Sequence, residues 1–209
     1  TAQEPTLEQL IETLLEESSR TIIKPPIDYV PQLGLIYSLP LSKGTNTRVL
    51  LLTGSSVREA RNGVCEIKSE IPISIQVDHR KFSGLAKKWS EEILKASREL
   101  LRKGYLECKP RKEVFDDVMR KIKTYYWSSD DRWYIAIASW VIGTYMYVIF
   151  DVYPILHYQG ERESGKSTAL RLLSRLCWNP VMPETALREA VLYRTIEGSR
   201  PTYLVDVTR

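Results

Sequence analysis

Residues 160–168 read Gly160-Glu161-Arg162-Glu163-Ser164-Gly165-Lys166-Ser167-Thr168. Two glycines flank four residues, and a lysine and a hydroxyl follow directly. Glycines at both ends let the backbone turn back tightly enough for successive amide N–H groups to point at phosphate oxygens, where a Cβ would crowd them. Lys166 adds a full positive charge for the outer phosphates. Ser167, at the start of a helix, is placed to hold Mg²⁺, and the helix N-terminus supplies further N–H donors. This is the pattern of a phosphate-binding loop, or Walker A motif. It predicts that all nine residues from Gly160 to Thr168 contact a nucleotide, with ATP and Mg²⁺ as the ligands.

A second piece of chemistry stands 40 residues after Lys166, where Pro201-Thr202-Tyr203-Leu204-Val205-Asp206 runs apolar and ends on a carboxylate. A strand ending in Asp is what a Walker B element looks like, with the carboxylate reaching Mg²⁺ through water. Lys166 and Asp206 are therefore the candidate catalytic residues, and Ser167 and Asp206 the candidate metal-facing ones. An ordinary buried strand with a terminal Asp reads the same way.

These residues need elements to position them. An apolar run from Tyr153 to Tyr158 predicts a strand before the loop, and Ala169 to Leu176 shows helical periodicity after it. Asn179 to Pro183 is long enough for a stub of strand, and Thr185 to Ile196 predicts another helix. Residues 133–150 carry no charge over a length that raises the question of a membrane span. Ser139, Gly143 and Thr144, with Trp and Tyr scattered through the centre, point instead to a helix buried against the nucleotide-binding part.

Upstream the texture differs. Residues 6–19 open with the capping box Thr6-Leu7-Glu8-Gln9 and continue as an acidic amphipathic helix. From Lys24 to Val77, short β-like runs (Leu33 to Leu41, Arg48 to Thr53, Val64 to Ile67, Ile71 to Val77) alternate with turn signals, which predicts a small, mostly antiparallel unit. From Leu85 the period is helical again, stopping at Lys103-Gly104, and a second helix is expected over about Lys112 to Trp127. Residues 80–125 hold fourteen Lys/Arg against seven Asp/Glu, whereas 1–79 hold seven against ten and 126–209 nine against nine. Two readings of this basic segment stand side by side: a nucleic-acid face using Lys87, Lys88, Arg98, Arg102, Lys109 and Arg111, or a solvated helical surface. The expected division is an accessory domain over 1–80, a basic helical region over 81–128 and a nucleotide-binding domain over 129–209. Three cysteines without a C-x-x-C pair and two histidines argue against a disulfide framework or zinc site and for a reducing, cytoplasmic location. Thr1 in place of Met suggests a trimmed start.

From Trp140 to Tyr145, Pro154 to Leu156, Gly160 to Thr168, Asn179-Pro180, Arg188 to Arg194 and Pro201 to Asp206, the succession resembles the ATPase domain of replicative helicases and primase-helicases carried by plasmids, viruses and other mobile elements. The resemblance covers about residues 130–209. It implies an α/β core with a RecA-like or AAA+-like parallel sheet, incomplete here, that assembles as a ring and translocates on DNA with ATP. In that family the Walker B Asp is usually followed by Glu, where this chain has Val207, and a sensor strand and an arginine finger follow, where this chain ends at Arg209. Turnover by this chain alone is therefore expected to be very slow. A non-catalytic module that binds nucleic acid or a replication protein is the alternative, while a small-molecule kinase is disfavoured by the lack of an Arg-rich lid segment.

Overall fold

The computed structural model describes residues 20–41, 48–61, 64–67, 73–78, 85–161, 163–182 and 189–206. The acidic helix expected over 6–19, the loop residue Arg162, the start of the helix expected at Thr185 and the position of Val207 lie outside them. Two compact units result: Thr1–Phe82 with Ser90–Tyr105, and Ser83–Trp89 with Leu106–Arg209.

In the first unit, seven strands form one sheet: β1 (Arg20–Ile23), β2 (Ile27–Val30), β3 (Gly34–Pro40), β4 (Arg48–Leu52), β5 (Val57–Arg61), β6 (Val64–Ile67) and β7 (Ile73–Val77). Their order is β1-β7-β6-β5-β4-β3-β2. Every pairing is antiparallel except β1 with β7. Tight turns explain this, because a strand that reverses within a few residues can only pair antiparallel with its predecessor. Between β2 and β3 the Leu33 amide donates to the Val30 carbonyl at 2.9 Å, with Gly34 at φ +76°. Between β4 and β5 the Thr53 amide donates to the Ser56 carbonyl at 2.9 Å. The two ends of the order, β1 and β2, are separated in sequence only by Lys24-Pro25-Pro26, so the sheet curls back on itself almost to a barrel. Ile23, Val30, Ile36, Val49, Leu51, Ala60, Cys65, Ile75 and Val77 fill its interior. Strands β3, β4, β6 and β7 fall on the alternating runs of the sequence, whereas β1, β2 and β5 gave no such run.

Helix α1 (Lys87–Lys103) buries Ile93, Ser97 and Leu100. The second unit then contains α2 (Arg111–Tyr125), α3 (Asp131–Gly143), a 3-10 turn at Tyr147–Ile149, α4 (Lys166–Leu176), β8 (Pro180–Val181), α5 (Glu189–Ser199) and β9 (Thr202–Tyr203). The uncharged stretch begins as α3, whose N-cap Asp130 accepts from the Arg132 amide at 2.9 Å. Tyr134, Ile137, Ala138 and Val141 face inward on it and join Ile122, Leu173, Cys177 and Leu204 in one core. Among the described residues, no helix is long and apolar enough to cross a membrane.

The expected parallel-sheet, RecA-like or AAA+-like core is not what forms. The dominant sheet is the seven-stranded, mostly antiparallel one, and it lies in the other unit. Beside the loop, among the described residues, there is only the parallel pair β8–β9, two residues in each strand. The apolar run expected as a strand before the loop makes no ladder. A cavity of about 450 Å³, lined by Pro154, Leu156 and Tyr158 on one side and Thr202 to Val205 on the other, separates it from β9. Among the described residues its anchored backbone group is the Pro154 carbonyl, which accepts from Trp140 Nε1 at 2.7 Å. A helix and a loop are specified by neighbours in sequence, whereas a parallel sheet needs distant partners, and among the described residues of this unit the paired strands are two residues long.

Candidate phosphate site

The loop closes on itself through Lys166. Its ammonium donates to the Gly160 carbonyl at 2.9 Å and to Ser164 Oγ at 3.2 Å, and also reaches the Glu161 carbonyl. Both glycines are required by this path. A Cβ on Gly160 would stand 2.7 Å from Ser164 Oγ, and Gly165 has φ +87°, a left-handed conformation that costs residues with a side chain. Glu163 also takes a positive φ of 64° and carries the turn between them.

Gly165 caps α4 with no side-chain acceptor of its own. Among the described residues the amides of Gly165, Lys166, Ser167 and Thr168 meet no acceptor, and the first α4-turn bond comes from Ala169 N–H to the Gly165 carbonyl at 2.9 Å. Four consecutive unsatisfied donors at the positive end of a helix dipole favour an anion. On the far side of α4, Ala169 and Leu173 are buried and hold the helix to the core.

Asp206 arrives from the other end of the sequence. Leu204, buried, donates its amide to the Val181 carbonyl at 2.9 Å and so extends the β8–β9 pairing one residue further. Two residues on, Asp206 Oδ2 accepts from the Ser167 hydroxyl at 3.1 Å. The register of this pair is fixed upstream by a buried network. The Thr144 hydroxyl donates to the Val141 carbonyl at 2.6 Å and accepts from the Trp178 amide at 3.0 Å, and the Thr202 hydroxyl donates to the Trp178 carbonyl at 2.6 Å. Asn179, only 2% exposed and at φ 35°, accepts from the Ala86 amide at 3.3 Å and donates to the Ser199 carbonyl at 2.8 Å. Trp89, Tyr145 and Trp178 pack together, Tyr145 edge-on to both tryptophans and the two tryptophans tilted, with centroids 5.1 to 6.2 Å apart. Just before Trp178, burial pushes the Cys177 thiol up to about 12, so it stays a protonated, packed side chain.

Of the site residues expected from sequence, Gly160, Ser164, Gly165, Lys166 and Ser167 thus converge with Asp206; Glu161 and Glu163 are exposed. The six basic residues do not gather in the same way. Lys87 and Lys88 lie in the second unit, Arg98 and Arg102 in the first, and Lys109 and Arg111 in the second. Lys109 pairs with Glu113 and Asp117 at 2.9 and 2.8 Å. Further along α2, Lys112 pairs with Asp116, Arg120 with Asp117 and Lys123 with Asp131, so much of the positive charge of this segment is matched by acidic neighbours. On the part of α1 that lies in the first unit the positions differ: Lys95, Arg98 and Arg102 fall within about 60° of the helix circumference, and all three side chains are exposed.

A second feature of the loop's surroundings gave no motif. Tyr125 and Lys121 of α2 and Arg171 and Arg175 of α4 line one groove that begins at Thr168. Its signal was the repeat at every fourth residue in both helices, 121 with 125 and 171 with 175, which a search for motifs passes over.

Comparison with family models, with curated proteins and with solved structures found no match to this chain.

Proposed function

We propose that the second unit binds a nucleoside triphosphate, ATP in the first instance, together with Mg²⁺. The observation that carries this reading is the meeting of Ser167 and Asp206 at 3.1 Å beside the four unpartnered amides of Gly165 to Thr168. A hydroxyl and a carboxylate suit a hard divalent cation, and amides with an ammonium suit the phosphates that the cation would accompany. Bound there, Mg²⁺ would neutralise phosphate charge. Lys166 would exchange its bonds to the Gly160 and Glu161 carbonyls for phosphate oxygens without leaving the loop. Glu161 and Glu163 are exposed, and position 207 is valine. The reading is therefore of a nucleotide-binding module with slow turnover, as in a protein related to replication ATPases. Titration calorimetry with Mg-ATP tests it: Lys166→Ala should weaken binding about tenfold or more, since a charge-assisted bond to phosphate contributes roughly 1.5–3 kcal/mol. Equal affinity in both proteins, or no binding in either, contradicts it.

A nucleic-acid partner is the second element of the reading, and the exposed cationic arc of α1 supports it. Unlike Lys112, Arg120 and Lys123 of α2, Arg98 and Arg102 make no ion pair among the described residues. Such an arc suits a phosphate backbone.

A further inference from the structure

Next to the loop, α2 and α4 pack side by side and leave a groove of about 560 Å³ between them. The groove starts at Thr168, whose amide is the last of the four unpartnered donors, and runs two turns down α4 past Arg171 and Leu172 to Arg175 and Leu176. Its floor is apolar, made by the half-buried Leu172 and Leu176. Tyr125, at 62% exposure, presents its ring as one wall. Lys121, Arg171 and Arg175 line the rim.

The charge here is of a different kind from that of the rest of α2. Lys109, Lys112, Arg120 and Lys123 each have an acidic partner. Lys121, Arg171 and Arg175 have none among the described residues. Arg171 is tied instead to the loop, its Nε donating to the Ser167 carbonyl at 3.3 Å. Three unmatched cations around one cavity favour an anionic ligand, and an apolar floor with an exposed aromatic wall favours a flat, unsaturated one. Phosphates alone would use neither the floor nor the ring. The volume falls in the range of small-molecule sites, roughly 300–1,000 Å³.

We infer that this groove is the base-and-ribose subsite of the phosphate loop, so that one nucleotide spans both, its phosphates at Gly160 to Thr168 and its base between Tyr125 and the guanidinium groups of Arg171 and Arg175. The inference rests on the nucleotide reading of the loop and adds the ligand class: a nucleoside polyphosphate, as against inorganic polyphosphate or a phosphorylated sugar. Tyr125 stacks, the planar guanidinium groups cover the opposite face, and Lys121 adds positive charge at the rim.

Calorimetric titration of the full chain with Mg-ATP and with Mg-tripolyphosphate separates the two claims. Wild type is expected to bind ATP about tenfold more tightly than tripolyphosphate, the size of one base–aromatic stack. Tyr125→Ala should remove that advantage and leave tripolyphosphate binding unchanged, while Tyr125→Phe should retain it. Lys166→Ala should weaken both ligands. Equal wild-type affinity for the two ligands, or a Tyr125→Ala protein that binds ATP as wild type does, overturns the groove assignment with the loop reading intact. So does a labelled oligonucleotide that loses affinity on Tyr125→Ala or Arg175→Ala while ATP does not, since the groove would then take a nucleic-acid strand. Indifference of both ligands to Lys166→Ala would instead overturn the loop reading on which the groove depends.

Discussion

The Ser167 hydroxyl donates to Asp206 at 3.1 Å across 39 residues of sequence, joining the first turn of α4 to the segment that follows β9. If this pair faces Mg²⁺, Asp206→Asn should abolish most of the gain in ATP affinity that Mg²⁺ confers, a loss of about tenfold. Affinity in EDTA should be unchanged. Titrations with and without Mg²⁺ check this, and an equal loss in both would show that Asp206 serves only the fold.

Gly165 is held at φ +87°. Gly165→Ala should cost roughly 1–2 kcal/mol of stability, the penalty of a left-handed residue with a side chain, and should re-aim the amides that follow. Urea denaturation reads the first effect and nucleotide titration the second. A variant as stable and as tight-binding as wild type would contradict both.

Gly143, at the end of α3, lies under the Tyr153 ring, where an added Cβ would come within 3.0 Å of Cε2 and Cζ. Tyr153 is also fixed by its own hydroxyl, which donates to the Trp140 carbonyl at 2.5 Å. Gly143→Ala should therefore destabilise the protein by about 1–3 kcal/mol. In a Tyr153→Ala background the same change should be close to neutral, because the obstructing ring is gone. A double-mutant cycle measures this coupling, and additive effects would mean that the ring moves aside freely.

Burial raises the Cys177 thiol from 9.0 to about 12. Between those values the unfolded chain gives up a proton that the folded chain keeps. The stabilisation is thus complete below about pH 9 and falls as pH rises, by up to about 1.4 kcal/mol per pH unit. Cys177→Ala should be less stable than wild type at pH 8 but should lose less between pH 9 and 10. Denaturation midpoints across that interval decide it; identical slopes would assign the alkaline loss to other groups.

For nucleic acid, the contrast between α1 and α2 gives a direct comparison. Reversal of Lys87, Lys88, Arg98 and Arg102 to Glu should abolish oligonucleotide binding and its salt dependence, which runs near −0.7 in log K per log[salt] for each single-strand contact. Lys109→Ala should change the slope little, because Glu113 and Asp117 already engage that ammonium. Fluorescence anisotropy at two salt concentrations distinguishes them, and binding that survives the quadruple reversal would remove α1 as the contact.

The tight turn from Gly160 to Lys166 was legible because its requirements are local: Gly165 takes a left-handed φ, Gly160 sits close beside Ser164, and Lys166 folds back over six residues. Helices α1 and α4 were legible for the same reason, by apolar spacing, whereas α3 was expected from the uncharged stretch 133–150 and ends earlier, at Gly143. The meeting of Ser167 with Asp206 could be suspected from residue types, but its geometry depends on the Thr144, Trp178 and Asn179 network, where a Thr and an Asn carry no pattern that marks them as buried. The parallel sheet was misread because Tyr153 to Tyr158 has the composition of a strand, and composition is silent on whether a partner strand lies alongside. The groove escaped notice because Tyr125 and Arg171 belong to different helices and meet only through packing.

The network around Asn179 has a mechanical consequence. The helical end of the loop is attached to the most firmly bonded part of its unit, where Trp178 is 1% exposed and the Thr144 and Thr202 hydroxyls tie three chain segments together. The other end hangs from residues 155–159, which make no hydrogen bond among the described residues, with Ile155 at 93% exposure. Amide hydrogen exchange should be slow at Trp178, Thr202 and Leu204 and fast at residues 155–159. If an anion binds at the loop as proposed, it would be gripped between a stiff jaw and a compliant one, and the compliant jaw would set how fast the grip closes and reopens.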